Sequence, residues 1–110
     1  MFERILVPVD LGEPEIAARS LVVAEELAVK HGARLDVLTV VPTYSMSIVG
    51  AAFPKNFEEA TLEAARSALK TMLDARPASE VTIKGHVAHG TIYDEIMKAA
   101  DALGADLIVM

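Results

Sequence analysis

Two kinds of hydrophobic pattern alternate along the chain. Arg4 to Val9 is a nearly continuous apolar run with β-branched residues, which suits a strand covered on both faces. Asp10, Leu11, Gly12, Glu13 and Pro14 interrupt it. Pro14 fits the first turn of a helix, and Glu13 and Glu15 favour its positive end. A helix is predicted from about Pro14 to Lys30. Ala17, Leu21, Ala24 and Ala28 form its apolar stripe, Val23 and Leu27 widen that stripe, and Gly32 serves as a left-handed cap. A second strand follows over Leu35 to Val41, stopped by Pro42.

From Pro42 to Lys55 the periodicity disappears. The stretch holds prolines, serines and a glycine among apolar residues (Met46, Ile48, Val49, Phe53) and reads as a long loop. Loops of this length in a compact domain are usually functional or mobile. It is open whether these side chains form a lid over a ligand, a partner surface, or packing against neighbouring helices.

Helix periodicity resumes at Asn56, with Glu59 placed as in a capping pair. Leu62, Ala65, Leu69 and Met72 make the buried face, and the helix ends before Pro77. A third strand is predicted over Glu80 to Ala88. A third helix begins at Thr91, with Ile92, Ile96, Ala99 and Leu103 as its core stripe, and Gly104 ends it. A fourth strand covers Asp106 to Met110. The order β-α-β-α-β-α-β predicts a three-layer α/β domain with an open parallel sheet and right-handed crossovers.

The chain has 110 residues, enough for one domain over 1–110. It is 53% hydrophobic and 24% charged, the composition of a globular protein. A formal net charge of -6 disfavours nucleic acid and anionic lipid as partners. The apolar run at the amino end is too short for a signal peptide or membrane insertion. Cysteine is absent, which excludes disulfides and thiolate metal sites and agrees with a cytoplasmic location. Leu107 to Met110 is strongly apolar with no turn or cap after it, so the domain is expected to be C-terminally incomplete.

Few residues carry recognisable chemistry. Gly85-His86-Val87-Ala88-His89-Gly90-Thr91 has the glycine spacing of a P-loop, but Thr91 stands where the lysine belongs and most of the run falls in a strand. Gly90 and Thr91 are read as the cap of the third helix, with a phosphate at that helix end as the alternative. His86 and His89 point to opposite faces and His31 is remote, so no metal site is expected. His31 is instead placed at a helix end, where the dipole favours it. Glu25-Glu26 and Glu58-Glu59 are read as solvated helix faces. No nucleophile elbow or acid-base pair of carboxylates stands out.

Four segments together resemble the universal stress protein family. They are Ile5-Leu6-Val7-Pro8-Val9-Asp10, Leu35-Asp36-Val37-Leu38-Thr39-Val40-Val41, His89-Gly90-Thr91-Ile92-Tyr93-Asp94-Glu95-Ile96 and Gly104-Ala105-Asp106-Leu107-Ile108-Val109-Met110. The resemblance spans the chain in the right order. It implies a flavodoxin-like or Rossmann-like sheet with strand order 3-2-1-4 and a fifth strand beyond Met110.

It also implies binding of ATP, AMP or ADP, with Mg²⁺ only as a companion of the nucleotide. The family's glycine-rich phosphate-binding run would begin after Met110. The site residues implied are Pro8, Val9, Asp10, Val40 and Met110, with Val41 beside Val40 against the adenine. Asp10 would contact the adenosine moiety or, on the alternative reading, only satisfy amides at the start of the first helix. Val40 and Val41 are equally compatible with plain core positions.

The expected function is therefore a nucleotide-binding stress-response regulator, with hydrolysis at most slow. It would form a homodimer when complete and contact a protein such as a transporter or regulator. The alternative is a nucleotide-independent interaction module of the same family. A small enzyme on this scaffold is the weakest reading, since no catalytic constellation appears.

Overall fold

The computed structural model describes residues 2–42, 57–76 and 80–110. Four strands and three helices alternate: β1 (Arg4–Pro8), α1 (Pro14–His31), β2 (Arg34–Pro42), α2 (Phe57–Asp74), β3 (Ile83–Gly90), α3 (Ile92–Leu103) and β4 (Leu107–Ile108). The sheet is wholly parallel with order β3-β2-β1-β4. The expected three-layer α/β architecture and strand order are therefore present.

Alternation along the strands sorts the core into two layers. Ile5, Val7, Leu35 and Val37 pack with Ala17, Leu21, Ala24 and Ala28 of α1 and Leu69 of α2. Leu6 and Leu38 pack on the other face with Ile96 of α3. The predicted stripe of α1 is buried as read, but Val23 is 48% exposed and lies on the flank of the helix. Small residues set the spacing of α2 over β3: a Cβ at Gly85 would lie 3.1 Å from side-chain carbons of Leu69 and Leu73.

Register fixes the strand ends. Leu35 opposes Ile83 and Pro42 opposes Gly90, so β3 begins and ends later than the apolar pattern implied. In β4 only Leu107 and Ile108 pair with β1, opposite Ile5 and Leu6. Both glycine caps are left-handed, Gly32 at φ 65° and Gly104 at φ 67°. Thr91 occupies the N-cap position of α3 but makes no side-chain capping bond. The expected pair of Asn56 with Glu59 lies partly outside the described residues, as do Met46, Ile48, Val49 and Phe53 of the loop.

Two polar clusters hold the sheet at the amino end of its strands. The Asp106 carboxylate accepts from the backbone N–H of Glu3 (3.0 Å) and of Arg4 (3.1 Å), while the Asp106 N–H donates to the Arg4 carbonyl. In β2, buried Asp36 accepts from Arg34 Nε at 3.1 Å and pairs with His86 Nε2 at 2.7 Å. Glu25 departs from the solvated-face reading: its carboxylate takes Arg76 Nε at 2.7 Å and joins α1 to the end of α2. His31 ends α1 as expected, with its ring edge-on to Phe2 at 5.0 Å between centroids.

Candidate functional site

The chain reverses its direction of travel across the sheet between β1 and β4: β2 and β3 are added on one side of β1, and β4 on the other. At such a point two connections leave in opposite directions and a crevice opens beyond the carboxyl ends of the strands. A crevice of about 470 Å³ lies there, lined by Pro8, Val9, Asp10, Leu38, Val40, Pro42, Ile92, Ile96 and Met110. That volume falls in the range of small-molecule sites, ~300–1,000 Å³.

All five residues predicted from sequence meet in this crevice. Pro8 ends β1, and Val9 is held by its N–H donating to the Leu38 carbonyl at 2.8 Å. Val109 N–H donates to the Leu6 carbonyl at 2.9 Å, which carries Met110 to the same margin as Pro8. Met110 is 82% exposed there. Val40 projects on the α3 face of β2, two residues beyond Leu38. Val41 is absent from the lining, because alternation turns it to the opposite face.

Asp10 sits in the turn between β1 and α1. Its Oδ1 accepts from the Gly12 N–H at 2.8 Å and its carbonyl accepts from the Glu13 N–H at 3.0 Å. The residue at the N-cap of α1 is Glu13, so Asp10 shapes the turn and does not cap the helix. The residue is exposed, and the Gly12 bond occupies Oδ1, which leaves acceptor capacity on the carboxylate.

Four further lining residues escaped the sequence reading. Leu38 and Pro42 share the face of Val40. Ile92 and Ile96 are spaced as a core stripe, yet Ile92 is 51% exposed and forms the α3 wall of the crevice. Gly90, just before α3, has φ 150°, and a Cβ there would lie 3.0 Å from Glu95 Cγ and Oε2. The Glu95 side chain thus folds back over the β3–α3 turn, where it also accepts from Lys98. His86 and His89 fall on opposite faces of β3. Among the described residues no cluster of His, Asp or Glu is arranged to hold a metal ion, and no helix is long and apolar enough to cross a membrane.

A parallel sheet of this order with helices on both faces and a crevice at its point of reversal defines a small doubly wound α/β domain. The model of the universal stress protein family matches residues 1–110, and the chain belongs to that family. Universal stress protein G of Shigella flexneri is 35% identical over 112 residues, covering 100% of this chain and 78% of the relative. Among solved structures, universal stress protein UspA from Lactobacillus plantarum superposes with a TM-score of 0.63 at 25% identity, covering 97% of this chain and 74% of its own. A universal stress protein in complex with cAMP shares the fold at a TM-score of 0.56 and 21% identity, over 97% of this chain and 70% of its own.

Proposed function

We propose that the protein is a stress-response regulator that binds an adenine nucleotide, ATP, ADP or AMP, with the adenosine moiety in the β1–β4 crevice. The observation that supports this is the meeting of one exposed carboxylate, Asp10, with an otherwise largely apolar slot at the reversal of strand order. Apolar walls with few polar groups are the usual way to hold a base and fix its orientation. Leu38, Val40 and Ile92 offer surface to the purine, and the Asp10 carboxylate accepts from a ribose hydroxyl. The cAMP complex of a fold neighbour supports the same class of ligand.

The ligand would tie the ends of β1 and β2 to the first turn of α3. A population shift among these elements would alter homodimer assembly and contact with a cytoplasmic protein partner, such as a transporter or another regulator. Mg²⁺ enters only with the nucleotide. Calorimetric titration with AMP tests the reading: saturable binding is expected, and Val40→Trp, which fills the slot, abolishes it. Absence of heat with every adenine nucleotide would leave a nucleotide-independent interaction module as the function.

A further inference from the structure

We infer that the outer margin of β3 is a docking edge for an extended, acidic segment of a partner protein, which adds to the sheet as a further strand. The site is separate from the β1–β4 crevice, and the two linings share no residue.

Among the described residues β3 pairs with β2 alone and forms the margin of the sheet opposite β4. The Leu35 N–H donates to the Thr82 carbonyl at 2.9 Å, just before β3 begins. In a parallel ladder both backbone groups of one residue bond the same neighbour, and the next residue turns both of its groups the other way. Thr82, Lys84, His86 and Ala88 therefore face β2. Ile83, Gly85 and Val87 turn their N–H and C=O toward the margin. A row of this kind is a template for another extended chain.

The side chains of the same residues lie on the α2 face, where a groove of about 390 Å³ runs between β3 and α2. Ile83 and Val87 of the strand and Leu69 and Leu73 of the helix make it apolar, and Gly85 keeps it open. Arg66 and Lys70 also line it, with Asp74 beside Lys70. Arg66 pairs with Glu63 and Lys70 with Asp74, but both pairs are exposed. Exposed pairs are worth little, so another carboxylate can replace either partner. On the opposite face of β3, Lys84 is exposed and has no ion pair among the described residues. The strand itself holds no Asp or Glu. A chain of formal net charge -6 thus presents a cationic edge at this margin.

That charge selects the occupant. A second copy of β3 would set the cations of one edge against those of the other, which is how lysine guards an edge strand against self-pairing. A strand with acidic residues at alternate positions places them beside Lys84 on one face. The apolar residues between them enter the groove on the other face, under Arg66 and Lys70. Main-chain bonds to Ile83, Gly85 and Val87 supply affinity, and the groove with its cations supplies specificity.

The test is calorimetric titration of the 110-residue chain with a short peptide that alternates valine and glutamate, beside one that alternates valine and lysine. The glutamate peptide is expected to bind saturably, more weakly as salt rises, and the lysine peptide not to bind. Hydrogen exchange at the amides of Ile83, Gly85 and Val87 should be fast in the chain alone and slow in the complex. Lys84→Glu, an exposed substitution, should weaken the glutamate peptide about tenfold and favour the lysine peptide. N-methylation of every second peptide nitrogen should abolish binding in one phase and spare it in the other. No binding of the glutamate peptide at about 1 mM would overturn the inference. Equal binding by Lys84→Glu, or indifference to N-methylation in both phases, would overturn it as well. Amides of Ile83, Gly85 and Val87 already protected in the chain alone would show that the chain itself or a second copy covers the edge, and would overturn it too.

Discussion

The carboxylate of Asp36 lies 2.7 Å from Nε2 of His86, across the β2–β3 pair and on the α3 face of the sheet. Asp36 is 1% exposed, and its second oxygen takes Arg34 Nε. Three polar side chains from two strands therefore satisfy one another in a region otherwise filled by Leu6, Leu38 and Ala88. Removing the shared acceptor strands two donors, whereas removing His86 leaves the Arg34 pair in place. Asp36→Ala should destabilise the fold by about 2 kcal/mol and His86→Ala by roughly half that, since both donors retain partial access to water. Urea denaturation of the two variants checks the ranking, and an equal loss in both would contradict it.

Asp106 gives a pH dependence with a definite sign. The backbone N–H groups of Glu3 and Arg4 bond its ionised form and hold its carboxyl below the usual carboxylate range. The native state then binds this proton more weakly than the unfolded chain does. The stabilisation is complete above the ordinary carboxylate pKa and is lost as pH falls through the lowered value. In urea midpoints, the advantage of the native chain over Asp106→Asn should be constant above about pH 4.5 and shrink on further acidification. A difference that grows in acid would show that Asp106 acts in some other way.

Much of this architecture was legible because the strands and α1 each repeat one simple pattern. β1 and β2 are apolar on both faces, and Ala17, Leu21, Ala24 and Ala28 recur at helical spacing. The ends of β3 and β4 were not legible, since they depend on register with neighbouring strands, as in the pairing of Pro42 with Gly90. In the crevice, Asp10 and Met110 could be placed because they follow the two strands that flank the reversal of order, and Val40 through the resemblance to the family. Ile92 and Ile96 could not, because their spacing is that of an ordinary core stripe. Asp36 gave no signal either: His86 lies 50 residues away in sequence, and only the β2–β3 register brings them together.

Gly90 supplies a backbone conformation that other residues rarely adopt, at φ 150°, and the space beside it is taken by the Glu95 side chain. An alanine there meets both penalties at the point where β3 hands over to α3. Gly90→Ala should cost about 1–2 kcal/mol of stability. Adding Glu95→Ala should recover only the steric share, because the backbone strain remains. Full recovery in the double variant would assign the whole effect to side-chain crowding.

Asp10 separates binding from stability more cleanly than any other lining residue. It is exposed, and among the described residues its hydrogen bonds are confined to the turn it belongs to: Oδ1 with Gly12 and the carbonyl with Glu13. Asp10→Ala removes only the first of these, so the fold should lose no more than about 1 kcal/mol. A ribose hydroxyl bonded to an ionised acceptor is worth more, on the order of 1.5–3 kcal/mol, which corresponds to a roughly tenfold or greater loss of affinity for adenosine or AMP. The free base, which has no ribose, should bind the native chain and Asp10→Ala equally well. Adenine binding that falls in parallel with adenosine binding would mean that Asp10 acts on the shape of the crevice and not on the sugar.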